Sequence, residues 1–223
     1  MLSLVTPTRG RSVRVFNCVK RIIEVSEGLD YEIVISSHPD KATKDLFDKF
    51  KDSRVSIHYK DCENGIEAWN HAASFAQGDC LKVSDDDLWY HPDWWKEAMD
   101  VIDPTISQYV GIGDFWNGPD SAPWPERVIG TRKFFCEILG GVLCIPHYKA
   151  HHDDVEKGDK ARTAGVLSRV AGYIEHRHYV RYPHEQRDIT SARAERWYGV
   201  DEAMYQRRKA VGFPLDYEPV FGM

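Results

Sequence analysis

Apolar positions along the first hundred residues switch repeatedly between two periods. Leu2–Thr6 is a short apolar run closed by Pro7, as in a strand buried on both faces. From Ser12 to Val25 the apolar residues Val13, Phe16, Val19, Ile22 and Ile23 recur at helical spacing. Tyr31–Ile35 predicts a second strand. Asp40 stands as a cap before a helix over Ala42–Phe50, in which Leu46, Phe47 and Phe50 share a face. Val55, Ile57 and Tyr59 alternate along a third strand. Asn64-Gly65 breaks the chain before helical spacing returns over Ile66–Phe75. Cys80–Val83 predicts a fourth strand that runs directly into Asp85, Asp86 and Asp87. Pro92–Ile102 predicts a helix with proline in its first turn. Strand and helix therefore alternate four times, which predicts an α/β fold: a mostly parallel central sheet flanked by helices.

The second half is less regular. Gln108–Gly113 predicts a strand, and 115–126 (FWNGPDSAPWPE) a long loop. Arg127–Tyr148 holds strand-like stretches around Gly140-Gly141, Asp153–Gly165 reads as a helix, Tyr173–Tyr182 as extended, and Ser191–Val211 as a helix. No repeat and no linker interrupts the chain. One domain is expected over 1–223, with 106–223 as its irregular half.

Composition narrows the class. A chain of 223 residues with 42 % apolar and 12 % aromatic residues can bury a real core. No apolar run reaches the roughly 18–20 residues of a bilayer span, and MLSLVTPTRGRS has no basic region before an apolar stretch, so a soluble cytoplasmic protein is expected. Five cysteines, an odd number without a CxxC pair, point the same way, to free thiols in a reducing compartment. A net charge of −6 argues against broad nucleic-acid binding.

Ligands of parallel sheets bind beyond the carboxyl ends of the strands, which is where Asp85–Asp87 fall. Three adjacent carboxylates repel one another unless a cation offsets them. Strand alternation lets Asp85 and Asp87 converge on a divalent ion while Asp86 points elsewhere; the bland alternative is a solvated acidic turn capping the next helix. His151-His152-Asp153-Asp154 and Glu156 form a second cluster, either charges complementing a helix dipole or a general base or metal site. His176 and His178 would share one face of an extended segment, as structural residues or as late metal ligands. Thr6–Arg11 (TPTRGR), between the first strand and helix, suits phosphate or base contacts.

In their order and spacing these segments resemble family-2 glycosyltransferases of the GT-A, Rossmann-like fold. LVTPTRGR is similar to the family's opening strand and "PTxNR" loop, and YEIVISSHPD stands where the family has "EIIVVDDGS". ENGIEAWNHAASFAQGDCLKVSDDD resembles "NxGxxxARNxGxxxAxGxxxxxxDxDD", and DDVEKGDKARTAG resembles "EDxDLGLRARxAG". The resemblance implies a nucleotide-sugar donor, Mn²⁺ or Mg²⁺, and transfer to an acceptor hydroxyl with inversion. It implies metal ligands at Asp85 and Asp87, completed by His176 or His178, and a catalytic base at Asp154. Donor contacts are implied at Pro7, Thr8, Arg9, Arg11, Ser36, Asn64, Gly65, Asn70, Asp85 and Asp86. Residues 1–105 would bind the donor, and 106–223 would bind the acceptor and carry the base. The sequence departs from the pattern at Ser36 and Ser37, where the family has paired Asp, at Trp69, where Arg is common, and at Asp153, where the family has Glu.

Trp89, Trp116 and Trp124 are candidates for an aromatic wall facing the acceptor. Residues 177–209 hold eight Lys/Arg against five Asp/Glu, a charge that fits a nucleic-acid acceptor but equally a solvated helix face. A saccharide, lipid-linked or protein hydroxyl is favoured. Two further classes compete: a nucleotidyltransferase, disfavoured because TPTRGR has one glycine, and a non-catalytic sugar- or protein-binding module, disfavoured because the carboxylates are present.

Overall fold

A computed structural model describes residues 1–114, 127–177 and 189–222. Among them, eight strands form one sheet: β1 (Leu2–Thr8), β2 (Tyr31–Ser37), β3 (Val55–Tyr59), β4 (Cys80–Val83), β5 (Leu88–Tyr90), β6 (Tyr109–Asp114), β7 (Val128–Thr131) and β8 (Leu167–His176). The helices are α1 (Ser12–Val25), α2 (Lys41–Phe47), α3 (Gly65–Ala73), α4 (Lys96–Val101), α5 (Arg132–Glu137), α6 (Asp153–Thr163), α7 (Ile189–Glu195) and α8 (Tyr198–Ala210). Strand order is β3-β2-β1-β4-β7-β6-β8-β5. The pairs β1–β2, β1–β4, β2–β3 and β6–β8 are parallel, while β7 and β5 run antiparallel to their neighbours.

Strand alternation divides the core in two. Leu4, Ile33 and Ile35 point to the face covered by α1, α2 and α4, and Val5, Val34 and Leu81 to the face covered by α3, α5, α6 and α8. Helix α1 buries Val15, Cys18, Val19 and Ile22, so its inner stripe is turned away from Val13, which is 64 % exposed. Asp40 caps α2 as the sequence predicts, its carboxylate accepting from Thr43 N–H at 2.9 Å.

Several elements differ from expectation. Strand β5 was not foreseen; it adds to the sheet edge by pairing with β8. The helix expected from Pro92 begins at Lys96, because Asp93 takes a left-handed φ of 63° and delays it. The strand-like stretch 127–148 is strand β7, helix α5 and an irregular segment whose Val142, Leu143, Cys144 and Ile145 are fully buried. The expected loop 115–126 and the end of the extended segment, 178–182, lie outside the described residues. The expected helix over Ser191–Val211 is two helices, α7 and α8. All five cysteines are free, four of them buried. Among the described residues no helix is long and apolar enough to cross a membrane.

Gly140 and Gly141 both have positive φ, 63° and 83°. The carbonyl of Gly141 accepts from Val220 N–H at 2.7 Å and Phe221 N–H at 3.1 Å. A Cβ on Gly141 would meet the Phe221 carbonyl at 2.6 Å and Pro219 Cβ at 2.7 Å. The final segment thus lies flat against this turn.

Candidate active site

The acidic tip sits in the turn between β4 and β5, at the carboxyl edge of the sheet. Asp86 turns inward: it accepts from Thr8 Oγ1 at 2.8 Å and from Arg11 Nη1 at 2.8 Å. Asp87 lies 3.2 Å from His176 Nε2, with Arg11 and Arg14 each at 3.8 Å. Strand β5 explains that meeting. Its antiparallel register sets His176 opposite Leu88, and Arg177 N–H donates to the Asp87 carbonyl at 3.0 Å. His178 lies outside the described residues.

The three carboxylates are shifted in different directions. Burial and the neighbouring Asp87 push Asp85 up. Burial also pushes Asp86 up to about 6, with Arg11 opposing. Asp87 is brought down to about 2, because its hydrogen bond to His176 and the nearby cations outweigh burial. Beneath the tip, Lys82 is fully buried between the faces of Tyr90 (5.7 Å) and Trp94 (6.0 Å), and burial lowers it to about 7.

The Asp85 carbonyl accepts from Cys18 Sγ at 3.5 Å, while its carboxylate accepts no hydrogen bond from the described residues and interacts electrostatically with Asp87, Arg127, His176 and Lys82. Two carboxylate groups, one accepting no such bond, and an imidazole are a donor set that suits a divalent cation of the manganese type. Among the described residues, no group of three or more such side chains is already drawn to coordination spacing.

The remaining sequence candidates separate into those that reach the edge and those used in packing. Pro7 and Thr8 end β1 beside Ser36 and Ser37 of β2. Arg9 bridges to Asp61 at 3.2 Å and to the Cys62 carbonyl at 2.7 Å. The same Asp61 oxygen lies 3.4 Å from His38 Nε2. Ser36 is buried, its hydroxyl 2.9 Å from His71 Nδ1. Asn64 caps α3 by accepting from Glu67 N–H at 3.0 Å. A Cβ on Gly65 would come within 3.2 Å of the Trp69 ring, and Trp69 Nε1 donates to the Ser84 carbonyl at 2.8 Å. The structure does not bring Asn70 to the edge. Its amide is buried, donating to the Cys144 carbonyl (2.6 Å) and accepting from Leu143 N–H (3.1 Å) and Cys144 N–H (2.9 Å). Both lone pairs of its carbonyl oxygen and one of its two N–H donors are thereby engaged by backbone. Asn70 therefore fastens the irregular 142–145 segment. Trp89 stacks on Arg177 (3.9 Å) and Arg21 (4.9 Å); Trp116 and Trp124 lie outside the described residues.

The second acidic cluster opens α6. Asp153 is buried, 2.5 Å from Lys157 Nζ and accepting from Ile145 N–H at 2.6 Å. Glu156 is fully buried, accepting from Tyr148 Oη at 2.7 Å and from Arg208 Nε and Nη2 at 2.8 and 3.0 Å. Asp154, between them, is half-buried and its carboxylate has no partner among the described residues.

The carboxylate turn, with an imidazole beside it and a basic loop facing it, lies at the carboxyl edge of a Rossmann-like sheet of the GT-A class. Residues 3–157 match the family described as glycosyl transferase family 2, and the chain belongs to that family. No curated protein sequence matches the chain. Solved structures share its fold at low identity. One is mannosyl-3-phosphoglycerate synthase from Rubrobacter xylanophilus (16 % identity over 100 % of this chain and 78 % of that one, TM-score 0.62). Another is the mannosyltransferase PcManGT from Pyrobaculum calidifontis in complex with GDP-Man and Mn²⁺ (15 %, 94 % and 73 %, TM-score 0.61). A third is S. aureus TarS in complex with UDP-GlcNAc (15 %, 79 % of this chain but 59 % of that one, TM-score 0.58).

Proposed function

We propose that the chain moves a sugar from a nucleotide-sugar donor to an acceptor hydroxyl by a metal-dependent, inverting displacement. The observation that supports this best is the meeting of Asp87 and His176, from two distant segments, beside Asp85, whose carboxylate accepts no hydrogen bond from the described residues. These three residues would hold the divalent cation. A cation bound there supplies positive charge to the departing diphosphate.

The chain's own residues carry the rest. Thr8 and Arg11 fix Asp86, so the turn between β4 and β5 is held in shape before any ligand arrives. Arg9, tied to Asp61 beside His38, borders the end of the sheet where the donor base would lie. Asp154 takes the proton of the acceptor hydroxyl. It suits that task because it is only half-buried and its carboxylate has no hydrogen-bond partner among the described residues. Attack from the side opposite the leaving diphosphate inverts the anomeric carbon. Residues 1–105 thus present the donor, and 106–223 the acceptor, a saccharide, lipid-linked or protein hydroxyl. Five unpaired thiols suit a cytoplasmic setting.

Thermal unfolding in Mn²⁺ with UDP, GDP, ADP, dTDP or CMP tests this directly. One of these nucleotides is expected to raise Tm, since a ligand at 100 times its Kd adds about 2.7 kcal/mol. No rise with any of the five overturns the proposal.

A further inference from the structure

Helix α8 reaches across to the start of α6 at one side chain. Asp201, in the first turn of α8, is fully buried. Its carboxylate accepts from three consecutive backbone amides: Lys149 N–H at 3.1 and 3.2 Å, Ala150 N–H at 2.9 Å and His151 N–H at 2.8 Å. Bonds from amides to an ionised carboxylate are among the stronger hydrogen bonds of a protein interior. The three amides lead directly into His152, which has a left-handed φ of 62° and from which α6 departs. A non-glycine residue holds that conformation only when its surroundings impose it. Here they do: the His152 ring stacks on Tyr205 (5.9 Å between centroids, 23° between planes), tilts against Tyr198 (5.1 Å), and sets Nε2 3.1 Å from Glu202. All three partners belong to α8. Two residues past His152 comes Asp154.

We propose that Asp201 is a positioning residue for Asp154: by gathering the 149–151 amides it fixes where α6 begins and so where the carboxylate of Asp154 stands. This rests on the reading of Asp154 as the base. The geometry separates positioning from plain stability. Asp153 and Glu156 have their own fastenings, to Lys157 and to Arg208, and these hold the body of α6 without Asp201. What Asp201 holds, and Lys157 and Arg208 do not, is the run of backbone amides at 149–151 that leads into His152. A loosened turn would shift the first residues of the helix and leave the donor edge at Asp85–Asp87 untouched.

The test compares Asp201→Asn with Asp154→Asn in the full chain. Three quantities are read: release of nucleoside diphosphate from UDP-glucose, UDP-N-acetylglucosamine or GDP-mannose with water as acceptor, the Tm rise given by Mn²⁺ with the matching nucleoside diphosphate, and amide exchange over 149–156. For Asp201→Asn the expected result is a kcat at least tenfold lower, a donor KM and nucleotide-induced Tm rise within twofold of wild type, and faster exchange confined to 149–156. If Asp201→Asn does not fold, Glu202→Ala, which releases His152, is expected to show the same split with a smaller fall. An unchanged kcat while Asp154→Asn is inactive overturns the positioning role and leaves the base reading intact. A fall in kcat matched by loss of the nucleotide-induced Tm rise also overturns it, because that pattern is general destabilisation. An active Asp154→Asn enzyme removes the base reading and this proposal together.

Discussion

The two acidic clusters of this chain look alike in sequence and are balanced in opposite ways. At the start of α6 the charges are neutralised from inside: Lys157 answers Asp153, and Arg208 answers Glu156, all four buried. Asp153 holds the Lys157 ammonium charged well above its ordinary range in spite of burial. At the tip between β4 and β5 the carboxylates are engaged unevenly. Arg11 bonds Asp86, His176 meets Asp87, and Asp85 is raised by burial and by Asp87, with Arg127, His176 and Lys82 acting on it only through space. A carboxylate cluster bonded throughout to its own counter-ions is architecture; one with a carboxylate not so bonded has oxygens to offer a ligand. Asp154 is the exception within the balanced cluster, a carboxylate with no hydrogen-bond partner or counter-ion among the described residues.

Four substitutions can break this contrast. Asp154→Asn should lower turnover by about a thousandfold, within the range of general-base catalysis, while leaving the nucleotide-induced Tm rise in place; steady-state kinetics beside a thermal scan checks both. Asp153→Asn should do the reverse. It strands the buried Lys157 ammonium, a loss of about 3 kcal/mol, which is about 10 °C of Tm for a chain of this size. A Tm within a degree or two of wild type would contradict the internal balance. Asp87→Asn should lower the ligand-free Tm, because it removes the charge that His176 and the nearby cations stabilise, and should also abolish the rise of roughly 5–10 °C that Mn²⁺ and nucleotide are expected to give; calorimetry with and without the metal separates the two.

The smallest effect concerns pH. Asp86 is raised to about 6 in the folded chain from an ordinary 3.8. The folded state therefore holds a proton that the unfolded state has released between about pH 4 and pH 6. The stability this contributes is complete below pH 4 and is lost as pH rises through 6. Relative to Asp86→Asn, the metal-free wild type should lose about 3 °C between pH 5 and pH 7. Parallel Tm curves for the two proteins in EDTA would remove the contrast at this position.

Legibility in the sequence follows the same division. Strands β1 to β4 and helices α1 to α3 were readable because both faces of the sheet are covered, so hydrophobic period and element coincide. Motif order singles out Asp85–Asp87 and Asp154, and His176 only together with His178; the structure brings His176 to Asp87. Strand β5 was not readable, having three residues directly after a charged turn; its partner β8 lies more than 75 residues away. The 142–145 segment was not, because its apolar residues have no period and are held by Asn70 and Asp153 rather than by a ladder. Asn70 shows the limit of a motif match: its residue type fits the family pattern, yet its amide is engaged by backbone. Asp201 carried no signal beyond that of an acidic residue in the first turn of a helix, which usually answers the dipole and faces water.

The contact between Gly141 and the last residues turns one position into a marker of the chain's route. A single methyl group at 141 would act as a wedge, displacing the Pro219–Phe221 stretch from its berth. Homologues bearing a side chain there must therefore send their termini elsewhere, so that glycine at 141 and the course of the closing residues should be inherited together.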